Sequence, residues 1–241
     1  MRLRWFLLLC CAATLLSQPR AGFGQNSKVS GRLELIGDSN REQNLSGGVV
    51  WLVPLGETRG QVPKAPSHTQ QLVQHHKSFS PHLLIVQVGS SVQFPNHDPF
   101  FHNVFSLFDG KRFDLGLYEA GSTRTLNFDR VGICYIFCNI HAEMSAVILV
   151  LDTPYFAVSD SKGEIEIPNV VPGVYELRVW QERAAPEALS SFTRKITIGA
   201  APFSFGALRI HEQASSLLAH KNKYGQDYEP PAPDSPLYSH P

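Results

Sequence analysis

The chain has 241 residues, of which 43% are hydrophobic and 17% charged, and this composition excludes a disordered or collagen-like protein. Acidic and basic side chains balance at 21 each, and no segment concentrates Lys and Arg, which argues against a nucleic-acid partner. The 17 Pro and 18 Gly residues interrupt the chain often enough to favour short strands over long helices. An all-β protein is therefore expected.

The first 24 residues have the features of a signal peptide. Arg2 and Arg4 precede an apolar run over residues 5–16, and Gly22 and Gly24 supply small residues for a cleavage site. The run is shorter than the roughly 18 apolar residues that a bilayer requires, and no later segment reaches that length. We therefore expect an exported protein, periplasmic or secreted, with no membrane span in the mature chain.

Apolar and alternating segments predict two groups of strands, interrupted by polar turns at regular spacing. The segment from Glu57 to Ser80 is polar and predicts a loop, and the Pro-rich stretch 213–241 predicts a mobile tail. This spacing is typical of Greek-key sandwiches and barrels. The predicted strands are 28–35, 48–55, 83–88, 92–94, 104–107, 123–128, 133–137, 145–151, 155–158, 164–167, 174–180, 194–198 and 203–210.

Two cysteines, Cys134 and Cys138, remain after removal of the predicted signal peptide. Both lie in the extended segment 132–138, where four residues at about 3.3 Å each separate their Cα atoms by roughly 13 Å. A disulfide needs less than about 7 Å. An exported chain that keeps two unpaired thiols points to a metal site.

The sequence places Cys138, His141 and Met144 in one short loop with the spacing C-x2-H-x2-M. A thiolate, an imidazole and a thioether are three of the donors of a His₂Cys copper site with a weak axial Met. His102, just before another predicted strand, can supply the second imidazole, with His97 as the alternative. Met144 is the only Met besides Met1, which makes a chance grouping improbable.

These residues resemble the cupredoxins, the blue-copper family that includes plastocyanin and amicyanin. The resemblance covers Ser78 to Leu151 and rests on VGSSVQFPN leading to HNV, on Gly132 six residues before Cys138, and on a loop of amicyanin-like length. It implies a Greek-key cupredoxin sandwich that binds one Cu(I)/Cu(II) ion. The implied ligands are His102, Cys138, His141 and Met144, with Asn103 bracing the two ligand loops from behind and with Phe94, Phe101, Phe105 and Phe137 as an apolar shell.

A second resemblance covers most of the remaining sequence. Residues 160–177, DSKGEIEIPNVVPGVYEL, and the early strands are similar to a carboxypeptidase regulatory-like, transthyretin-type β-sandwich. We therefore predict a discontinuous second, smaller sandwich over residues 25–62 and 154–212. The cupredoxin domain, residues 63–153, is inserted into it.

The cupredoxin resemblance implies an exported mononuclear type 1 copper protein that transfers one electron at a time and is not an enzyme. A haem or copper protein would dock near His141, at a surface edge ringed by Phe100, Phe101, Ile140 and Ala142. The alternative from another class is a copper-handling or envelope-binding protein that uses both domains as a scaffold.

Several other residues have less specific patterns. A binuclear copper centre that includes Cys134 would need one more residue before His141, so Cys134 is expected to be a buried inert thiol. No H-x-H pair of a multicopper oxidase occurs. Among the polar residues, Asp98, Asp114, His75 and His76 are expected at a solvated surface.

Overall fold

The computed structural model describes residues 26–37, 45–64, 66–107, 110–213 and 220–228. These described residues are nearly all β, with 17 strands, one α-helix at Pro186–Ser190 and one 3-10 helix at Gly56–Gly60, which confirms the predicted fold class. The strands are β1 Ser27–Ile36, β2 Val49–Pro54, β3 Gln70–Gln71, β4 Val73–His75, β5 Ser78–Ser80, β6 Leu83–Gln87, β7 Ser90–Pro95, β8 His102–Ser106, β9 Phe113–Tyr118, β10 Thr123–Phe128, β11 Gly132–Phe137, β12 Ser145–Leu151, β13 Phe156–Val158, β14 Glu164–Val170, β15 Gly173–Trp180, β16 Arg194–Ile198 and β17 Phe203–His211.

The first two strands share two sheets with the last five. Strand β1 lies between β14, antiparallel, and β17, parallel, in a three-stranded sheet. Strand β2 lies between β13 and β15, and β16 completes a four-stranded sheet. The pleat sends alternate apolar side chains of these strands, such as Ile165 and Ile167, into a shared core.

The strands between these two groups pair among themselves. Strands β6, β12, β11, β8 and β9 form a five-stranded sheet, β10, β7 and β3 form a three-stranded sheet, and β4 pairs with β5. The predicted loop before Ser80 thus contains three short strands. The boundaries predicted for the two domains stay predictions, and the predicted signal peptide lies outside the described residues.

The five-stranded sheet is covered on both faces, and the alternation along β11 shows how. Cys134 and Ile136 face a core that also contains Phe94, whereas Tyr135 and Phe137 face the core shared with β2 and β15. Because side chains alternate along a strand, the next residue on the first face is Cys138. The fold therefore directs the Cys138 thiol into a buried apolar core.

Among the described residues, no helix has both the length and the apolarity to cross a membrane.

Candidate metal centre

The loop after β11 returns tightly on itself and fixes Cys138 at its start. The Cys138 N–H donates to the Met144 carbonyl at 3.3 Å, and the Met144 N–H donates to the His141 carbonyl at 3.2 Å. The side chains of Cys138 and Met144 are fully buried in the same apolar cluster. The C-x2-H-x2-M spacing is therefore the spacing of one closed loop that begins where β11 ends.

Three of the predicted ligand residues meet at one point. Nδ1 of His102 lies 3.8 Å from the Cys138 sulfur, and Nδ1 of His141 lies 3.5 Å from it. The three donor atoms all lie within 4.8 Å of one another. His102 reaches this point because strand β8 pairs with β11, with Phe105 opposite Phe137. The sulfur and two imidazole nitrogens thus converge as the sequence predicts, with Met144 in the same buried cluster.

Asn103 contacts this group through its backbone. Its N–H forms a hydrogen bond to the Cys138 sulfur, as do the N–H groups of Ile140 and His141. Its side-chain amide instead donates to Oδ1 of Asp114 at 2.7 Å. Asn103 therefore joins its own strand to the Cys138 loop by its main chain, while its side chain extends towards β9.

Asp98, which the sequence places at a solvated surface, is instead 4% exposed and orients His102. Its Oδ2 lies 2.7 Å from Nε2 of His102. The same carboxylate accepts the N–H groups of His76 at 2.7 Å and Lys77 at 2.9 Å. A carboxylate on Nε2 keeps the proton on that nitrogen and leaves Nδ1 free to bind a metal. The only sequence signal for this contact is the spacing D-x3-H of Asp98 and His102. A loop of this length does not determine whether the Asp side chain faces the His or the solvent.

Burial keeps the donor groups neutral in the absence of a metal. Burial, and to a smaller extent the neighbouring His102, lower the pKa of His141 to about 4. Burial likewise lowers the pKa of His102, against the opposing effect of Asp98. Burial raises the pKa of the Cys138 thiol, although three backbone N–H groups oppose this. Two imidazoles are thus ready to coordinate at neutral pH, and a metal that binds the sulfur must displace a proton.

Cys134 stands apart from this group. It is fully buried, and burial raises its pKa to about 11. Both cysteines are free thiols, as the strand geometry predicts. A thiol with so high a pKa is a poor nucleophile at neutral pH.

Residues 220–228, here called the strap, lie across the loop that holds Cys138. The Tyr228 hydroxyl donates to the Cys138 carbonyl at 2.8 Å and lies 3.0 Å from Nδ1 of His220. Nε2 of His220 lies 2.9 Å from the Ala142 carbonyl oxygen, and its ring stacks on Phe137 with centroids 3.9 Å apart. This part of the predicted mobile tail is held by specific contacts, which the Pro-rich composition of its surroundings does not indicate.

The strap also contacts the residues behind the sulfur. The Lys223 N–H donates to Oδ1 of Asn139 at 2.9 Å, and Nζ of Lys223 lies 2.6 Å from Oδ2 of Asp114. Asp114 in turn accepts the Asn103 side chain. A continuous chain of polar contacts therefore runs from the strap through Asp114 and Asn103 to Cys138.

The apolar surroundings of the sulfur differ from the predicted shell. Phe94 lies in the core that contains Cys138, but Phe105 and Phe137 face the opposite side of the sheet. Phe101 is 47% exposed. The pleat explains the difference, because Phe105 and Phe137 occupy a directly opposed pair whose side chains share one face.

His141, which the sequence predicts at a surface edge, is almost fully buried, with 4% of its surface exposed. Its ring lies 5.8 Å from that of Phe100 and 4.8 Å from that of His102. Of the predicted patch around it, Phe101 and Ala142 are exposed, whereas Phe100 and Ile140 are partly buried. The predicted rim is therefore only partly exposed, and the exposed Glu143 lies beside His141 in the same loop.

The sequence matches no protein-family model, and no curated protein matches it. Similar solved structures include a novel purple cupredoxin from Nitrosopumilus maritimus, with 22% identity over 34% of this chain and 99% of that chain and a TM-score of 0.31. A copper-containing nitrite reductase from Thermus scotoductus SA-01 has 23% identity over 41% of this chain and 27% of that chain, with a TM-score of 0.34. A reduced amicyanin mutant has 20% identity over 34% of this chain and 82% of that chain, with a TM-score of 0.32. Cupredoxins are thus among the structures that this chain resembles. None of these structures bears on the carboxypeptidase regulatory-like resemblance, which stays a prediction.

Proposed function

We propose that the protein is an exported mononuclear type 1 copper protein that carries one electron at a time. The proposed ligands are His102, Cys138, His141 and Met144. The observation that supports this most directly is the spacing of the Cys138 sulfur and the two imidazole Nδ1 atoms inside a buried core.

The spacing matches what a trigonal metal site requires. Bonds of about 2.3 Å to sulfur and about 2.0 Å to nitrogen, set about 120° apart, separate the two donors by about 3.7 Å. The separations in the protein are 3.8 Å for His102 and 3.5 Å for His141. One thiolate and two imidazoles, with a thioether in the same buried cluster, form the donor set that favours copper over harder metals.

When bound, copper supplies a one-electron Cu(I)/Cu(II) couple. The chain contributes rigidity: Asp98 fixes the His102 ring, and backbone N–H groups of Asn103, Ile140 and His141 point at the sulfur. These hydrogen bonds stabilise negative charge on the sulfur and hold the donors in one arrangement. A site that changes little between two oxidation states exchanges electrons with little reorganisation.

We further propose that the protein is not an enzyme. Four protein donors leave no open position where a substrate could bind. A haem or copper protein that docks on the rim containing Phe101 and Ala142 would lie close to His141, and the exposure of Phe101 supports this location. An exposed aromatic side chain is a common anchor at protein interfaces.

A copper-handling protein is the second candidate function. The burial of His141 supports it, because an electron carrier is expected to present an accessible imidazole edge to its partner. A reversible redox couple would favour the carrier, and rapid exchange of bound copper with a chelator would favour the handling role.

The test is a Cu(II) titration of the purified protein, followed by visible absorption and EPR. We expect an intense thiolate-to-copper band that saturates at one equivalent. Cys138→Ser should abolish the band, whereas Cys134→Ser, a matched change of a buried thiol on the same core face, should preserve it. Met144→Leu should retain the band and raise the reduction potential. A band that survives Cys138→Ser, or that disappears in Cys134→Ser, would contradict the mononuclear assignment.

A further inference from the structure

Three exposed histidines meet on one rim of the protein, outside the group around Cys138. His75 and His76 lie at the turn between β4 and β5, and His97 follows β7. Gln74 and Asn96 form a parallel β-bridge, and the His97 N–H donates to the Gln74 carbonyl at 2.9 Å. This pairing places His75 beside His97 although 21 residues of sequence intervene.

The His75 ring lies next to each of the other two rings. The centroids of His75 and His76 lie 3.7 Å apart, and those of His75 and His97 lie 6.5 Å apart. The His75 side chain is 50% exposed, so its ring can rotate without disturbing the buried core. Exposed side chains change rotamer at small cost, and a metal ion here would require a rotation of these rings that brings two or three of their nitrogens to one point.

Asp98 connects this rim to the buried group. Its Oδ2 binds Nε2 of His102, whereas its Oδ1 lies 3.7 Å from Nδ1 of His75. The two sides of one carboxylate thus face a buried imidazole and an exposed imidazole. The negative charge of Asp98 favours a cation on the exposed side as well.

We propose that His75, His76 and His97 form a second metal site, open to solvent, that binds Cu(II) through imidazole nitrogens alone. Imidazole is a preferred ligand of Cu(II), which also binds such ligands more tightly than other divalent metals of its row. With no thiolate within the set, this ion has no strong visible band. The site therefore differs from the one at Cys138 in both spectrum and accessibility.

The test is a Cu(II) titration of the purified protein beyond one equivalent, with EPR and visible absorption recorded together. The variant pair His75→Gln/His97→Gln removes two of the proposed ligands, and His68→Gln/His211→Gln removes two exposed histidines elsewhere as a matched control. We expect the natural chain and the control to bind a second equivalent with a nitrogen-ligand EPR signal and no added thiolate band. The His75→Gln/His97→Gln protein should lose this equivalent and keep the first.

The Cys138→Ser variant separates this proposal from the proposed function. It should lose the thiolate band and still bind one Cu(II) at the exposed histidines. If the natural chain binds no second equivalent, or if His75→Gln/His97→Gln binds it as well as the control does, the exposed site does not exist. Retention of this equivalent in Cys138→Ser, together with its loss in His75→Gln/His97→Gln, would support it even if the buried group bound no copper.

Discussion

Replacement of Asp98 by Asn should weaken both the fold and the copper site. The carboxylate accepts three hydrogen bonds, from His76 N–H, Lys77 N–H and His102 Nε2, at 2.7, 2.9 and 2.7 Å. An amide has one acceptor oxygen and turns its NH₂ towards at least one of these donors. Hydrogen bonds to a buried charged group contribute about 1.5–3 kcal/mol each, so we expect Asp98→Asn to lower the free energy of unfolding by about 3 kcal/mol.

Copper affinity should fall as well, because His102 loses the partner that fixes its ring. Loss of such a partner typically costs about 10–100-fold in metal affinity. The unfolding free energy is measured on the metal-free protein by urea titration with circular dichroism, and the affinity by competition with a chelator. Asp160→Asn is the matched control, since this exposed carboxylate also accepts two backbone N–H groups, those of Lys162 and Glu164, at 2.9 Å each.

The pH dependence gives a second check on Asp98. Burial by itself would raise the pKa of Asp98, but the hydrogen bonds from Lys77, His102 and His76 outweigh it and lower the pKa below the ordinary 3.8. A lowered pKa gives stability that is present above the unfolded value and lost as the pH falls through the folded value. The difference between the natural chain and Asp98→Asn should therefore vanish in acid below 3.8. Equal stability and equal copper affinity of the two proteins at neutral pH would refute this account of Asp98.

Three further changes have expected outcomes. Tyr228→Phe removes the hydroxyl that donates to the Cys138 carbonyl, and it should cost about 1 kcal/mol and speed hydrogen exchange in the strap; unchanged exchange would contradict the contact. The hydrogen bond to Glu182 raises the pKa of His82 against the opposing effect of burial. The stability that this hydrogen bond contributes is therefore fully present below pH 6.5 and is lost as the pH rises through the raised pKa. His82→Ala should thus destabilise in mild acid by less than about 1 kcal/mol and have no effect in mild alkali, and an effect that grows with pH would oppose this sign. Gly163→Ala should cost more than about 2 kcal/mol in urea unfolding, because Gly163 has φ +81° and an added Cβ would collide with the Leu33 carbonyl; a loss below about 0.5 kcal/mol would show that the turn can relax.

The sequence alone predicts the all-β class and the convergence of Cys138, His141 and His102, because chemical type and loop spacing constrain both. Cys138 follows a strand, and a two-residue gap to His141 leaves few ways to close the loop. The sequence does not predict the role of Asp98, since an Asp in a polar loop looks the same whether it faces water or a buried imidazole. Its burial depends on two N–H groups from a hairpin more than 20 residues earlier.

Two other errors have similar physical causes. The short strands between Gln70 and Ser80 are two or three residues long and mostly polar, so only their pairing with β7 and with each other identifies them. The strap is polar and lies next to Pro-rich sequence, and it owes its place to the contacts of Tyr228 and His220 with a loop some 80 residues earlier. The composition of a segment indicates whether it can bury apolar side chains of its own. It does not indicate whether polar contacts to distant residues hold the segment in place.

The two-sided cover of the five-stranded sheet has a consequence for cooperativity. Tyr135 and Phe137 belong to the core shared with β2 and β15, while Cys134 and Ile136 on the same strand belong to the core that contains Met144. Loss of strand β11 would therefore open both cores at once. Because a ligand that binds only the folded state stabilises every region that unfolds together with its site, copper at Cys138 should raise the melting temperature of the whole molecule as a single transition.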